Sequence, residues 1–197
     1  MIRADVSNLW IIILAGGNGR RVRQLTRDGH GECVPKQFWS SGTGKSMVGW
    51  TLDRAFALTS PERILAVVAR DHERWWSDQL SALPRENILV QPADRGTGAG
   101  ILLPLTRILS RDPQATVVIM PSDHYVRDEA IVRRKIAEAV IAAQGRPERV
   151  VLLAASPTEE RSGLGCIVPE DMKAEARASN VTDMVEKPDP DTVERLV

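Results

Sequence analysis

The stretch from Leu9 to Arg21, LWIIILAGGNGRR, decides the fold. Leu9 to Leu14 is an unbroken apolar run that ends in Gly16-Gly17. A short run with no polar alternation marks a strand buried on both faces, as in a parallel sheet covered by helices. The glycines then mark a loop at the carboxyl end of that strand. Glycine lets a backbone approach a phosphate closely and turn its N–H groups toward it. Gly16, Gly17 and Gly19 are therefore candidate phosphate-binding residues, and Arg21 would add a fixed fork of donors. A tight strand-to-helix turn explains the same glycines without a ligand. The spacing is not that of the dinucleotide-binding GxGxxG loop.

Outward from this segment, apolar runs alternate with helical patterns. Helices are predicted over residues 46–58, 71–83, 100–109 and 128–144, with Pro104 expected to kink the third or mark its first turn. Buried strands are predicted at Ile64–Val68 and Val150–Leu153, a short strand at Ile88–Val90, a strongly apolar one at Thr116–Met120, and weaker ones at Ile167–Val168 and Val181–Val185. This alternation is the pattern of a mostly parallel α/β sheet with helices on both faces. Sites in such sheets lie at the carboxyl ends of strands.

Four further segments follow strands or sit beside the glycine loop. Pro35-Lys36-Gln37-Phe38 offers Lys36 to neutralise phosphate oxygens. Gln91-Pro92-Ala93-Asp94-Arg95-Gly96-Thr97-Gly98 offers Gln91 to a base edge and Gly96 for close backbone approach. Met120-Pro121-Ser122-Asp123-His124 ends the most apolar late strand. Asp123 there suits Mg²⁺ bound together with phosphates, since magnesium takes few protein ligands and keeps waters. Asp123 as the cap of a turn is the plain alternative, and His124 is expected to be a packed histidine and no ligand. Glu186-Lys187-Pro188 offers a glutamate to sugar hydroxyls and a lysine to a sugar phosphate. By contrast Gly42-Thr43-Gly44-Lys45-Ser46 imitates a P-loop, but Trp39 stands where the motif needs glycine. It reads as a polar turn ahead of a helix.

Composition agrees with a soluble, globular chain. It has 197 residues, 43% hydrophobic and 26% charged, with 26 basic residues against 26 acidic ones. That balance gives no electrostatic case for nucleic acid or an anionic membrane as a partner. Cys33 and Cys166 match no metal or disulfide spacing and are expected as free thiols. No signal peptide and no membrane-spanning run is apparent, so a cytoplasmic location is expected.

Taken in order, the glycine loop with Arg21, PKQF, QPADRGT, PSDH and VEKP resemble the successive signatures of the mannose-1-phosphate guanylyltransferases, over about Leu9 to Asp189. The resemblance implies a Rossmann-like nucleotide-diphospho-sugar transferase domain. It implies a Mg²⁺-dependent reaction of GTP with mannose 1-phosphate, giving GDP-mannose and pyrophosphate. By the same resemblance Gly16, Gly17, Gly19 and Arg21 would hold nucleotide phosphates, and Lys36 would stabilise charge at the reacting phosphoryl groups. Gln91 and Gly96 would face the base, Asp123 would bind the metal, and Gly165, Glu186 and Lys187 would face the sugar phosphate. Arg21, Lys36 and Asp123 are the implied catalytic residues.

The departures from the family pattern concentrate on the sugar side, where Arg161, Leu164 and Cys166 replace a glutamate and two aromatics. Gln24, Asp94 and Gly98-Ala99 also differ. Family members continue well past VEKP and supply a second metal-binding aspartate there. Residues 1–197 are therefore expected to form a single nucleotidyltransferase domain, incomplete at its C-terminus. Such a chain would bind nucleotide, turn over poorly and expose apolar surface that favours homo-oligomers. The alternatives are a pyrophosphorylase for another sugar 1-phosphate and nucleotide, or a non-catalytic nucleotide- or sugar-phosphate-binding protein.

Overall fold

The structure is a computed structural model. It describes residues 7–17, 19, 22, 24–40, 42, 44–93, 95–155, 165–170, 178–186, 188–189 and 191–192. The chain divides into two compact units, residues 1–134 and 135–197.

The first unit is built on a parallel sheet. β1 (Leu9–Ala15) leads through α1 (Met47–Phe56) to β2 (Ile64–Ala69), and α2 (Glu73–Gln79) leads to β3 (Ile88–Gln91). α3 (Gly96–Arg111) then leads to β4 (Thr116–Pro121). The spatial order is β3-β2-β1-β4, and each of the three pairings is parallel. β1 thus has hydrogen-bonded neighbours on both sides and β4 lies at an edge, pairing only with β1 among the described residues.

The apolar run of β1 is what that central position demands. Leu9, Ile11, Ile12 and Ile13 are fully buried, as are Ile64 to Val68 of β2. Alternate side chains point to opposite faces. Trp10 and Ile12 pack with Leu65, Val67 and Ile108 on one face, joined by Leu105 of α3 and Val117 of β4. Ile11 and Ile13 are buried on the other face, and α1 contacts β1 while burying Val48, Leu52 and Ala55. Each fully buried isoleucine contributes about 2 kcal/mol of hydrophobic stabilisation.

The helices follow the predicted pattern with local corrections. Ser46 caps α1, its Oγ accepting from the N–H of Gly49 at 3.1 Å, behind left-handed Gly42 and Gly44. The P-loop imitation is therefore a capped turn, and its Lys45 pairs with Asp53 within reach of the Trp50 ring. The helix predicted over residues 71–83 is shorter, because Arg70–His72 forms a 3-10 turn and α2 ends at Gln79. Pro104 neither starts nor ends α3, which runs through it, with Gly100 one turn earlier.

α4 (Glu129–Gly145) carries the chain into the second unit. There β5 (Cys166–Pro169) and β6 (Val181–Val185) form an antiparallel pair, separate from the parallel sheet. The strand predicted at Val150–Leu153 is not formed. This stretch has no sheet pairing and Val150 is 88% exposed. An apolar run signals a tendency to be buried, but a strand also needs a partner edge. Apolar side chains are exposed elsewhere too, at Leu102 and Leu109 of α3 and Ile119 of β4. Cys33 and Cys166 are free thiols. No helix among the described residues is long and apolar enough to cross a membrane.

One buried ion pair fastens α1 to the first turn of α4. Arg54, 5% exposed, donates from Nε and Nη2 to both oxygens of Glu129, at 2.9 and 2.7 Å. Two parallel bonds in a fork geometry are the strong form of such a pair. Changing Glu129 to Ala leaves the guanidinium buried and without its acceptor. A hydrogen bond to a charged group is worth about 1.5–3 kcal/mol, so unfolding by urea should require about 2 kcal/mol less free energy. A loss under about 0.5 kcal/mol, the level of an exposed pair, would show that the fork does not hold the helices together.

Candidate functional site

A sheet of order β3-β2-β1-β4 reverses direction between β1 and β4. Loops leaving the carboxyl ends of those two strands run apart there and open a crevice. The glycine loop leaves β1 at this point, and Ser122-Asp123 leaves β4 beside it, since Leu14 is in register with Pro121. Proline has no N–H to give to a neighbouring strand. The buried Ser122 hydroxyl takes over, donating to the carbonyl of Leu14 at 2.6 Å.

Lys36 reaches the same crevice from a 3-10 turn, Lys36–Phe38. Phe38 and Gln37 are buried and anchor the turn. The Lys36 ammonium lies 3.3 Å from Asp123 Oδ2, and the two side chains are 34% and 43% exposed. An ion pair this exposed contributes less than about 1 kcal/mol. Its partners are held near one another without being committed to one another. His124 is not packed as expected. Its side chain is exposed, with Nε2 3.6 Å from the other Asp123 oxygen.

The glycine positions are tight where the loop meets its neighbours. Gly19 has φ +54°, and a Cβ there would lie 3.4 Å from both the backbone nitrogen and the Cβ of Lys36. A Cβ on Gly16 would lie 3.2 Å from Gln91 Oε1, and one on Gly100 3.8 Å from Gln91 Nε2. The Gln91 amide, at the end of β3, thus occupies space left by two glycines. Gly17 is different, since a Cβ there meets nothing within 4 Å. Gly96 opens α3 with φ +77° on the exposed side.

Gln37 is a part of this arrangement that residue types alone did not single out. Its side-chain amide donates to the carbonyls of Ala15 and Gly17, at 2.9 and 2.8 Å. Between the glycine loop and this turn, Arg27 and Cys33 form an isolated antiparallel bridge. Inside that excursion Asp28 accepts the N–H of Glu32 and that of His30, both at 2.9 Å. The Glu32 bond is the main cause holding the Asp28 carboxyl below its ordinary pKa.

The structure therefore brings Gly16, Gly19, Lys36, Gln91 and Asp123 together in the first unit. Gly165 and Glu186 meet in the second. The pairing of Cys166 with Val185 sets them side by side, and a Cβ on Gly165 would lie 3.0 Å from Glu186 Oε2. Arg21, Asp94, Arg161, Leu164 and Lys187 lie outside the described residues.

No group of three or more His, Cys, Asp or Glu side chains suited to a metal occurs among the described residues. The described residues alone thus offer no protein cage for a cation. Magnesium arriving with phosphate oxygens and water does fit, because one carboxylate suffices and Asp123 is exposed to receive it.

Comparison with known proteins places this geometry among relatives. A family model described as nucleotidyl transferase matches residues 11–197. A mannose-1-phosphate guanylyltransferase of Salmonella muenchen is 32% identical over 98% of this chain and 40% of its own length. The alginate biosynthesis protein AlgA of Pseudomonas putida is 28% identical over 90% of the chain and 36% of its own length. A crystal structure from Thermus thermophilus, described as a mannose-1-phosphate geranyltransferase, superposes with a TM-score of 0.76 at 26% identity. That match covers 95% of this chain and 52% of the other. The chain thus spans well under half the length of these curated relatives.

Two glycines of the loop can be separated by stability alone. Left-handed backbone costs a residue with a Cβ about 1–2 kcal/mol. Gly19→Ala is expected to lower the unfolding free energy by about that much, with added strain against Lys36. Gly17→Ala is expected to change it by less than about 0.5 kcal/mol. Urea unfolding of both variants checks this, and equal effects would contradict the loop geometry.

Proposed function

The chain belongs to the nucleotidyl transferase family, and we propose that it forms the nucleotide-handling part of an enzyme joining GTP and mannose 1-phosphate. The products are GDP-mannose and pyrophosphate. The observation that carries the reading is the weak Lys36–Asp123 pair facing the glycine loop at the sheet reversal. A cation, a carboxylate and the glycine loop meet there, at a place where α/β sheets bind ligands. The named relatives support the choice of reaction.

No protein nucleophile is needed. An oxygen of the sugar phosphate attacks the α-phosphorus in line, the bond from that phosphorus to the pyrophosphate bridging oxygen breaks, and pyrophosphate leaves. The chain's part is positioning and charge neutralisation, which dominate catalysis of phosphoryl-type transfer. The Gly16–Gly19 backbone receives phosphate oxygens. Lys36 turns from Asp123 to the phosphates, and the Asp123 carboxylate would hold a magnesium ion bound with those phosphates. Magnesium supplies charge neutralisation at the phosphates. Arg21 adds a further cation. The Gln91 amide, donor and acceptor in one group, meets the base, with Gly96 giving room nearby. In the second unit Gly165, Glu186 and Lys187 receive the sugar phosphate.

Both halves of the central pair are testable by calorimetry with GTP in magnesium. Each replaced group removes one charge-assisted contact, worth about 1.5–3 kcal/mol, or about 10- to 100-fold in affinity. Lys36→Met should weaken GTP by that factor with or without magnesium. Asp123→Asn should weaken it only when magnesium is present. An Asp123→Asn chain with unchanged magnesium dependence would remove the metal from this carboxylate.

The choice of base is checked in the same instrument with ATP, UTP and dTTP beside GTP. GTP is expected to bind tightest. Equal or tighter dTTP or UTP would reassign the chain to a pyrophosphorylase of another nucleotide.

A further inference from the structure

We propose that Gln37 is a positioning residue that aims the phosphate-facing N–H groups of the glycine loop and fixes their distance from the Lys36 ammonium. The inference rests on the nucleotide site proposed above and assigns the element that holds it in shape.

A buried amide is costly unless its hydrogen bonds are made. Gln37 is 3% exposed, and both protons of its Nε2 go to one short segment, the carbonyls of Ala15 and Gly17. Two carbonyl partners also settle which end of the amide faces the loop, because only the nitrogen end donates. The segment thus receives the full donor capacity of one buried side chain.

The consequence for the loop follows from peptide geometry. In a trans peptide the N–H points opposite to the C=O. The peptide that carries the Ala15 carbonyl must therefore present the Gly16 N–H on the far side from Gln37. An N–H turned to that side, with the carbonyls of Ala15 and Gly17 tied back, suits an anion. Without the latch these carbonyls are free to rotate toward the ligand, where they would repel phosphate oxygens.

The same turn sets the cation. Lys36 and Gln37 are adjacent in a 3-10 turn closed by Phe38 N–H to Pro35 O at 2.9 Å and Trp39 N–H to Lys36 O at 3.2 Å. Phe38 is buried beneath it. The loop is therefore held at two points by one rigid piece. Gln37 grips Gly17, and the Lys36 backbone abuts Gly19, whose missing Cβ permits the approach. N–H donors and ammonium are referred to a common frame, and that preorganisation is what charge stabilisation requires.

The test compares GTP with guanosine, which carries the base and no phosphate. Calorimetry is run on the unaltered chain and on Gln37→Met, which keeps length and volume but donates nothing. Thermal unfolding without ligand monitors the fold. The expected result is a GTP affinity weaker by about tenfold or more, the loss of one or two contacts to charge, with guanosine affinity within about twofold. A residue that only stabilises the fold would lower the melting temperature and leave both affinities alone, or weaken both equally. Either pattern overturns the inference while the nucleotide site stands. If the unaltered chain binds no GTP, the site itself is refuted and the inference with it. Should Gln37→Met unfold, Gln37→Asn carries the same outcomes, since its amide is one methylene short of both carbonyls.

Discussion

Strand β1 is paired on both edges, and the rest of the first unit is arranged around that fact. β2 takes one edge in the register Ile11–Ile64, and β4 takes the other in the register Ile13–Met120. A strand in this position can be approached by water from neither edge nor face. Its side chains must therefore be apolar throughout, and Leu9 to Ile13 are. Because β2 and β4 lie on opposite sides of β1, the loops that leave β1 and β4 diverge. The crevice between them is a result of strand order. The glycine loop, Asp123 and Lys36 are placed by it.

The carboxyl end of this sheet is maintained by buried polar side chains rather than by more backbone pairing. Pro121 ends what β4 can donate, and Ser122 continues the contact from its hydroxyl. Gln37 takes the carbonyls of Ala15, the last residue of β1, and of Gly17 just past it. The Gln91 amide fills the space beside Gly16 and Gly100. Ser122 and Gln37 would be costly to bury if unmatched, so each fixes one local arrangement. The loop edge of the sheet is in this way made as definite as its core.

What the sequence revealed follows from how far each signal reaches. β1 and β2 were legible because continuous apolar runs have one stable home, the interior of a covered sheet, and β4 by its apolar run although it is half-exposed at the edge. α1 was legible from its spacing and α4 from its turn residues. Val150–Leu153 misled for the same reason that β1 did not. Hydrophobicity is local, whereas pairing depends on an edge contributed from elsewhere. β5 and β6 are strands by pattern, but nothing in their residues tells that they pair with one another and not with the parallel sheet. In the candidate site, Gly16, Gly19, Lys36 and Asp123 stood out by residue type beside strand ends. Gln37 did not, although it lies between Lys36 and Phe38. An amide declares neither its burial nor its partners in sequence, and only the fold shows both donors committed to Ala15 and Gly17.

Two ion pairs in the first unit show how burial separates holding from exchange. Arg54 and Glu129 meet through two hydrogen bonds with the guanidinium nearly out of water. Removing Glu129 leaves the guanidinium with almost no solvent to receive it, so the pair is strongly committed. Lys36 and Asp123 meet through one contact of 3.3 Å, both about a third or more exposed. Water offsets the separation of these charges, and the pair can open at small cost. A pair that opens easily, beside a loop whose Ala15 and Gly17 carbonyls are held by Gln37, suits a site that must accept an anion with its cation and later release them. Rigidity lies with the loop whose carbonyls Gln37 holds, and freedom is kept for the charges that have to change partners. In the proposed reaction this division lets Lys36 and Asp123 exchange each other for phosphate and metal without disturbing the loop that receives the nucleotide.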